Sequence, residues 1–262
     1  MSNLSFISAQ ELKSKIGQVA ILDARPKALY EKGHIPGAFS FSWEDYVHTD
    51  SKGVKYRIIA PEKLASSLGK MGIDENTPVV VYGDADKSWG GEGWAGWVFA
   101  WLGHKTEVKM LPGGIDAWQK AGGSMETATP SNPLVAASQK TYSVSMNPAV
   151  NISAETIGKK NHDFSIIDTR SLMERIKGAR IDGSVHIPWE KFYQEKDGLR
   201  ITLDKEALLR LYAEKKMDSS KKYVFYCTGG IRSGFAWFVH AAAFGTDSAI
   251  NFEGGTEEWE RR

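Results

Sequence analysis

The 262-residue chain has one cysteine, Cys227. A lone thiol excludes an internal disulfide framework and a thiolate metal cluster. The histidines at positions 34, 48, 104, 162, 186 and 240 lack His-x-x-x-His or comparable ligand spacing, so no metal site is expected. An excess of one charge is also missing: 33 Lys and Arg face 32 Asp and Glu, a net charge of +1. That balance points to no nucleic acid and no membrane surface as partner, so any preference for anions must be local. No run reaches the roughly 20 apolar residues of a membrane span. Residues 1–8 lack the basic flank and apolar core of a signal peptide. The expectation is a soluble, cytoplasmic protein. With 42% apolar and 25% charged residues the composition is globular, and the length suits two domains.

A repeat gives the two domains a basis. Ile21-Leu22-Asp23-Ala24-Arg25 returns as Ile166-Ile167-Asp168-Thr169-Arg170. Ile35-Pro36-Gly37-Ala38 returns as Ile181-Asp182-Gly183-Ser184, and Trp43-Glu44 as Trp189-Glu190. Val79-Val80-Val81-Tyr82-Gly83 lies opposite Tyr223-Val224-Phe225-Tyr226-Cys227, and Gly113-Gly114 opposite Gly254-Gly255, each pair followed by a tryptophan. These ordered matches at a nearly constant offset mark a duplicated domain. A polar, proline-bearing stretch over 126–141 reads as the connector between halves at 1–125 and 142–262. Short β-branched runs alternate with helical stretches, such as those opening at Pro61 and Asp204. That pattern predicts an α/β fold in which each half is a mostly parallel sheet with helices on both faces. Trp94, Trp97 and Trp101 share a helical face and read as core or interface packing.

Cys227 directly follows the strand-like run 223–226 and precedes a helical stretch ending at Gly245. An isolated cysteine is ordinarily a small buried apolar residue. Three features favour a nucleophile instead. The sulfur sits at a strand's carboxyl end, where ligands bind in such sheets. Gly229 and Gly230 let backbone amides converge, and Arg232 adds a positive charge. Thr228, Gly229, Gly230, Ile231 and Arg232 thus form a candidate anion cradle.

Asp-x-Arg after a strand, Gly33-His34-Ile35-Pro36-Gly37-Ala38, the strand-Cys-loop-helix and Gly-Gly-x3-Trp, written twice, resemble the tandem-domain rhodanese family of sulfurtransferases. The resemblance covers nearly the whole chain except the connector and an insert around residues 48–56. It implies two tandem rhodanese-like domains, with Gly83 marking the first as the copy that lacks the cysteine. It also implies that Cys227 takes sulfur from thiosulfate or 3-mercaptopyruvate as a persulfide and passes it to a thiol, cyanide or a sulfur-acceptor protein, with no cofactor. For the donor anion it implies Arg175 first and Arg180 next, since Arg175-Ile176-Lys177-Gly178 resembles the family's Arg-aromatic-x-Gly segment. Thr228 and Gly229 depart from the basic residues of thiosulfate specialists, and the loop fits the mercaptopyruvate pattern only in part. Asp168 and Arg170 read as structural, and so does His34, with a place in the interdomain cleft as its alternative. Two rivals stay open: a protein-to-protein sulfur carrier without small-molecule turnover, and a cysteine phosphatase. The phosphatase signature needs five residues between Cys and Arg; four separate Cys227 from Arg232.

Overall fold

The computed structural model describes residues 3–127, 139–159 and 163–262. Most of the connector and His162 lie outside the described residues. In the first half a five-stranded sheet runs in the order Asn3–Phe6, Glu107–Met110, Val79–Tyr82, Ala20–Asp23, Ala38–Ser40. In the second, four strands follow in the order Ala249–Phe252, Lys222–Tyr226, Phe164–Asp168, Val185–His186. Every pairing within these two sheets is parallel. All residues of Ala20–Asp23 and Val79–Tyr82 are buried, as strands covered on both faces require. The helices expected at Pro61 and Asp204 form as Pro61–Lys70, with proline in its first turn, and Lys205–Glu214, where the Asp204 side chain accepts from the Ala207 amide. The helix after the cysteine begins at Ile231, earlier than its apolar run suggests, and closes on Gly245.

Helices Gly91–Trp101 and Ile231–Phe244 follow Gly83 and Cys227 in the two halves and pack on each other. Glycine permits that close approach: a Cβ on Gly93 would stand 2.3 Å from the Phe235 Cα, and one on Gly96 2.2 Å from the Phe238 ring. Trp94 and Trp97 are buried as expected, and the Trp97 indole donates to the Val150 carbonyl at 2.9 Å. One apolar cluster runs through both halves, from Leu22 and Val81 to Phe225 and Trp237. Residues 140–147 hold the first half, through Lys140 N to Gly69 O, Ser145 N to Leu102 O and Asn147 N to Trp101 O at 2.9–3.0 Å. Placing the second half from 142 therefore includes a strap that packs on the first.

A two-stranded antiparallel hairpin leaves each half at the corresponding place, Val47–His48 with Arg57–Ile58 and Tyr193–Lys196 with Leu199–Thr202. Tyr56, in the turn of the first hairpin, packs on Gly229 of the second half, and Tyr193 of the second hairpin donates to Glu92 of the first half at 3.0 Å. The insert around 48–56 thus has a counterpart, although the two hairpins share little sequence.

Candidate active site

Asp-x-Arg is a brace repeated in both halves. Arg170 donates to both oxygens of Asp168 at 2.8–2.9 Å, and Arg25 likewise grips Asp23. Each carboxylate also accepts from the tyrosine just before the loop, Tyr226 at 2.8 Å and Tyr82 at 2.6 Å. That pins the last residue of the strand beside Cys227 in one half and Gly83 in the other. Burial by itself would raise the Asp168 pKa; the hydrogen bonds and charge of Arg170, with the Tyr226 hydroxyl, hold it below the usual carboxylate value.

Gly-Gly closes the loop from the other side. The Thr256 amide donates to the Cys227 carbonyl at 2.9 Å and the Glu257 amide to the Thr228 carbonyl at 3.1 Å. Gly255, at φ +54°, lies under these carbonyls, and a Cβ there would stand 2.6 and 2.4 Å from their oxygens. In the first half the Ile115 amide meets the Gly83 carbonyl in the same way. With its carbonyls so engaged, the loop turns its amides elsewhere. The N–H groups of Thr228, Gly229, Gly230, Ile231, Arg232 and Ser233 have no hydrogen-bond acceptor among the described residues. They form the first turn of a 14-residue helix and the loop leading into it, a setting that attracts anions. Cys227 is 1% exposed, and the Ser233 hydroxyl donates to its sulfur at 3.6 Å.

A cleft of about 360 Å³ opens over this loop, lined by Cys227, Thr228, Gly229, Ile231 and Arg232. Trp43, Glu44, Tyr56, Trp89 and Glu174 complete its wall. A larger groove, about 570 Å³, lies between the halves around Arg57, Trp101 and Asn151 but does not include the sulfur. Among the described residues no three His, Cys, Asp or Glu side chains gather as metal ligands.

Arg232 reaches the site as expected, but its charge is not free. Both terminal guanidinium nitrogens donate to Glu174, at 2.6 and 2.7 Å, and one also donates to Thr228 Oγ1. Burial would lower the Arg232 pKa; the Glu174 hydrogen bonds and the neighbouring Cys227 and Glu174 charges raise it instead. Glu174 is itself the capping-box residue of helix Leu172–Lys177, tied to Ser171. Burial would raise its pKa, yet the Arg232 and Ser171 hydrogen bonds bring it down to about 2. Sequence reasoning passed over Glu174, although it adjoins Arg175. It passed over Trp43, Glu44, Tyr56 and Trp89 as well; the repeated Trp-Glu pair was the available signal.

Arg175 and Arg180 are not among the residues lining the cleft. Arg175 donates to Asp168 Oδ2 at 2.9 Å and to the hydroxyl and carbonyl of Ser184 at 3.0 and 2.9 Å, while Arg180 is exposed. Gly230 belongs to the loop without lining the cleft. His34 is buried, stacked on Tyr30 at 3.9 Å with Nδ1 beside the Tyr30 carbonyl, which is the structural role.

In the first half Glu92 takes the place the cysteine would have. A Cβ on Gly83 would fall 2.4 Å from Glu92 Oε2, and Oε1 accepts from the Tyr193 hydroxyl of the opposite hairpin at 3.0 Å. Oε2 has no hydrogen-bond partner among the described residues. Burial raises the Glu92 pKa to about 7.

These features define a two-domain α/β protein with a cysteine at the head of one loop and Gly83 at the head of its counterpart. The chain belongs to the rhodanese-like family: the rhodanese-like domain matches twice, over residues 8–121 and 153–262. It is 29% identical over 251 residues to the sulfur carrier protein TtuD of Thermus thermophilus, covering 88% of this chain and 84% of that one. Over 259 residues it is 28% identical to a thiosulfate sulfurtransferase of Gallus gallus, covering 92% and 82%. The fold is that of SseA from Escherichia coli, described as a 3-mercaptopyruvate sulfotransferase, with a TM-score of 0.80 at 19% identity, covering 97% of this chain and 99% of that one.

Proposed function

We propose that this chain is a sulfurtransferase that carries sulfur on Cys227 between a small anionic donor, thiosulfate or 3-mercaptopyruvate, and a thiophilic acceptor. The Cys227 thiolate attacks the outer sulfur of thiosulfate or the thiol sulfur of 3-mercaptopyruvate. In thiosulfate the S–S bond breaks and sulfite leaves with the electron pair; in 3-mercaptopyruvate the C–S bond breaks and the pyruvate enolate leaves and is protonated. An acceptor, whether a thiol, cyanide or a thiol on a protein, then takes the terminal sulfur and Cys227 departs as thiolate. This is covalent, ping-pong chemistry, and no step calls on a cofactor.

The six acceptor-free amides of residues 228–233 carry this reading. Hydrogen bonds aimed at an anion are worth most where water is excluded, and the sulfur here is buried. With Arg232 paired to Glu174, the donor's charge falls chiefly to these amides. That pairing also weakens the phosphatase reading, which needs a free arginine over the phosphoryl group. The half with Gly83 supplies wall and no nucleophile, and the cytoplasm, where thiols stay reduced, is the compartment proposed.

Intact mass after incubation with each donor tests the proposal. Wild-type protein gains one sulfur that cyanide or a thiol removes, and Cys227→Ser gains none while keeping its melting temperature. Sulfur on the serine variant, or none on wild type, refutes it.

A further inference from the structure

Four of the ten residues that line the cleft come from the domain that has no cysteine. Trp43, Glu44, Tyr56 and Trp89 all belong to it. Two of the four hold backbone conformations that side chains avoid: Tyr56 has φ 62° and Trp89 φ 57°. A bulky residue in this left-handed region costs roughly 1–2 kcal/mol. Both are held by the site. The Tyr56 side chain packs on Gly229 and its ring meets Trp43 edge-on at 6.1 Å. Beside it, Arg57 is clamped by Glu253 and Glu258 of the other half at 2.6 and 2.8 Å. The Trp89 ring has the Arg232 guanidinium 5.3 Å from its centre, and the residue is 54% exposed.

Charge runs the same way. The cleft lining has three charged side chains, Glu44, Glu174 and Arg232. Glu174 and Arg232 neutralise each other. Glu44 is exposed and has no ion-pair or hydrogen-bond partner among the described residues. The floor of the cleft is therefore a set of amide donors suited to an anion, and its mouth is three aromatic rings beside an unmatched carboxylate. Aromatic faces attract cations through their quadrupole, most strongly for tryptophan.

We propose that the mouth selects the second substrate, and that the preferred sulfur acceptor is a thiol bearing an ammonium group. Its cation rests against Trp43, Tyr56 and the free face of Trp89 with Glu44 as counter-charge, while its sulfur reaches down to Cys227. The acceptor thiolate attacks the terminal sulfur of the Cys227 persulfide. The Cys227 S–S bond breaks, the acceptor leaves as a persulfide that retains the terminal sulfur's proton, and Cys227 is restored as thiolate. This inference rests on the sulfurtransferase reading.

The test loads the full-length protein with a sulfane donor, verifies the added sulfur by intact mass, removes the donor and times discharge. Cysteamine, 2-mercaptoethanol and 3-mercaptopropionate serve as cationic, neutral and anionic acceptors at matched thiolate concentration. Discharge is expected fastest with cysteamine, by roughly tenfold over 2-mercaptoethanol, and slowest with 3-mercaptopropionate. Glu44→Gln and Trp43→Leu should each bring the cysteamine to 2-mercaptoethanol ratio toward one. The ratio is taken within each protein, so a general loss of rate does not imitate the effect. Loaded wild-type protein that discharges equally to all three thiols, or variants that keep the wild-type ratio, overturn this inference alone. A protein that takes up no sulfur overturns the sulfurtransferase reading, and this one with it.

Discussion

Glu92 offers a direct test of how the space beside Gly83 is filled. Its carboxyl is 3% exposed, one oxygen has no partner, and burial raises its pKa from 4.5 to about 7. The folded state then holds a proton that the unfolded chain releases from about pH 4.5 upward. Stability from this group is present in full below pH 4.5 and is lost as pH rises through 7. At about 1.4 kcal/mol per pH unit the whole interval is worth roughly 3 kcal/mol, of which about 2.5 falls between about pH 5 and about pH 8. Glu253, which burial also raises to about 7 against the pull of Arg57, adds a slope of the same sign. Comparing wild type with Glu92→Gln cancels that contribution. With a urea m-value of about 2–3 kcal/mol/M, the wild-type midpoint should fall by about 1 M more than the variant's over this range. Equal falls would mean that Glu92 is ionised throughout and that burial does not govern it.

Other perturbations probe the Cys227 loop and the residues around it. Gly255→Ala drives a Cβ into the Cys227 and Thr228 carbonyls and should cut sulfur transfer at least tenfold, whereas Gly183→Ala, also at positive φ but with nothing within 4 Å, should cost about 1 kcal/mol of stability and leave transfer intact. Equal rates in the two variants would remove the bracing role of the Gly-Gly turn. Glu174→Gln keeps the shape of the wall but leaves Arg232 as an unmatched cation, so the donor KM should fall several-fold in steady-state assays; an unchanged KM would show that the pair does not screen the donor. Arg175→Ala removes bonds to Asp168 and Ser184 and should lower stability by about 1–3 kcal/mol in urea with little change in KM. A large KM increase would return Arg175 to the donor site.

Much of this protein is local and therefore legible in the chain itself. The buried strands, the turn glycines and the Asp-x-Arg brace act within a few residues or one repeat, so the duplicated α/β fold and the Cys227 loop follow from pattern alone. Tertiary structure decided the charge and shape of the cleft. Arg232 looks like a free cation until Glu174, 58 residues earlier, is folded against it. Arg175 looks like a donor ligand until Asp168 and Ser184 consume its donors. Trp43, Tyr56 and Trp89 gain meaning only when the first half is laid across the second, and Glu92 only when Gly83 leaves room for it. Backbone preference and hydrophobic period are set by near neighbours, whereas an electrostatic balance depends on every charge within a few ångströms. Packing of the two halves chooses those neighbours.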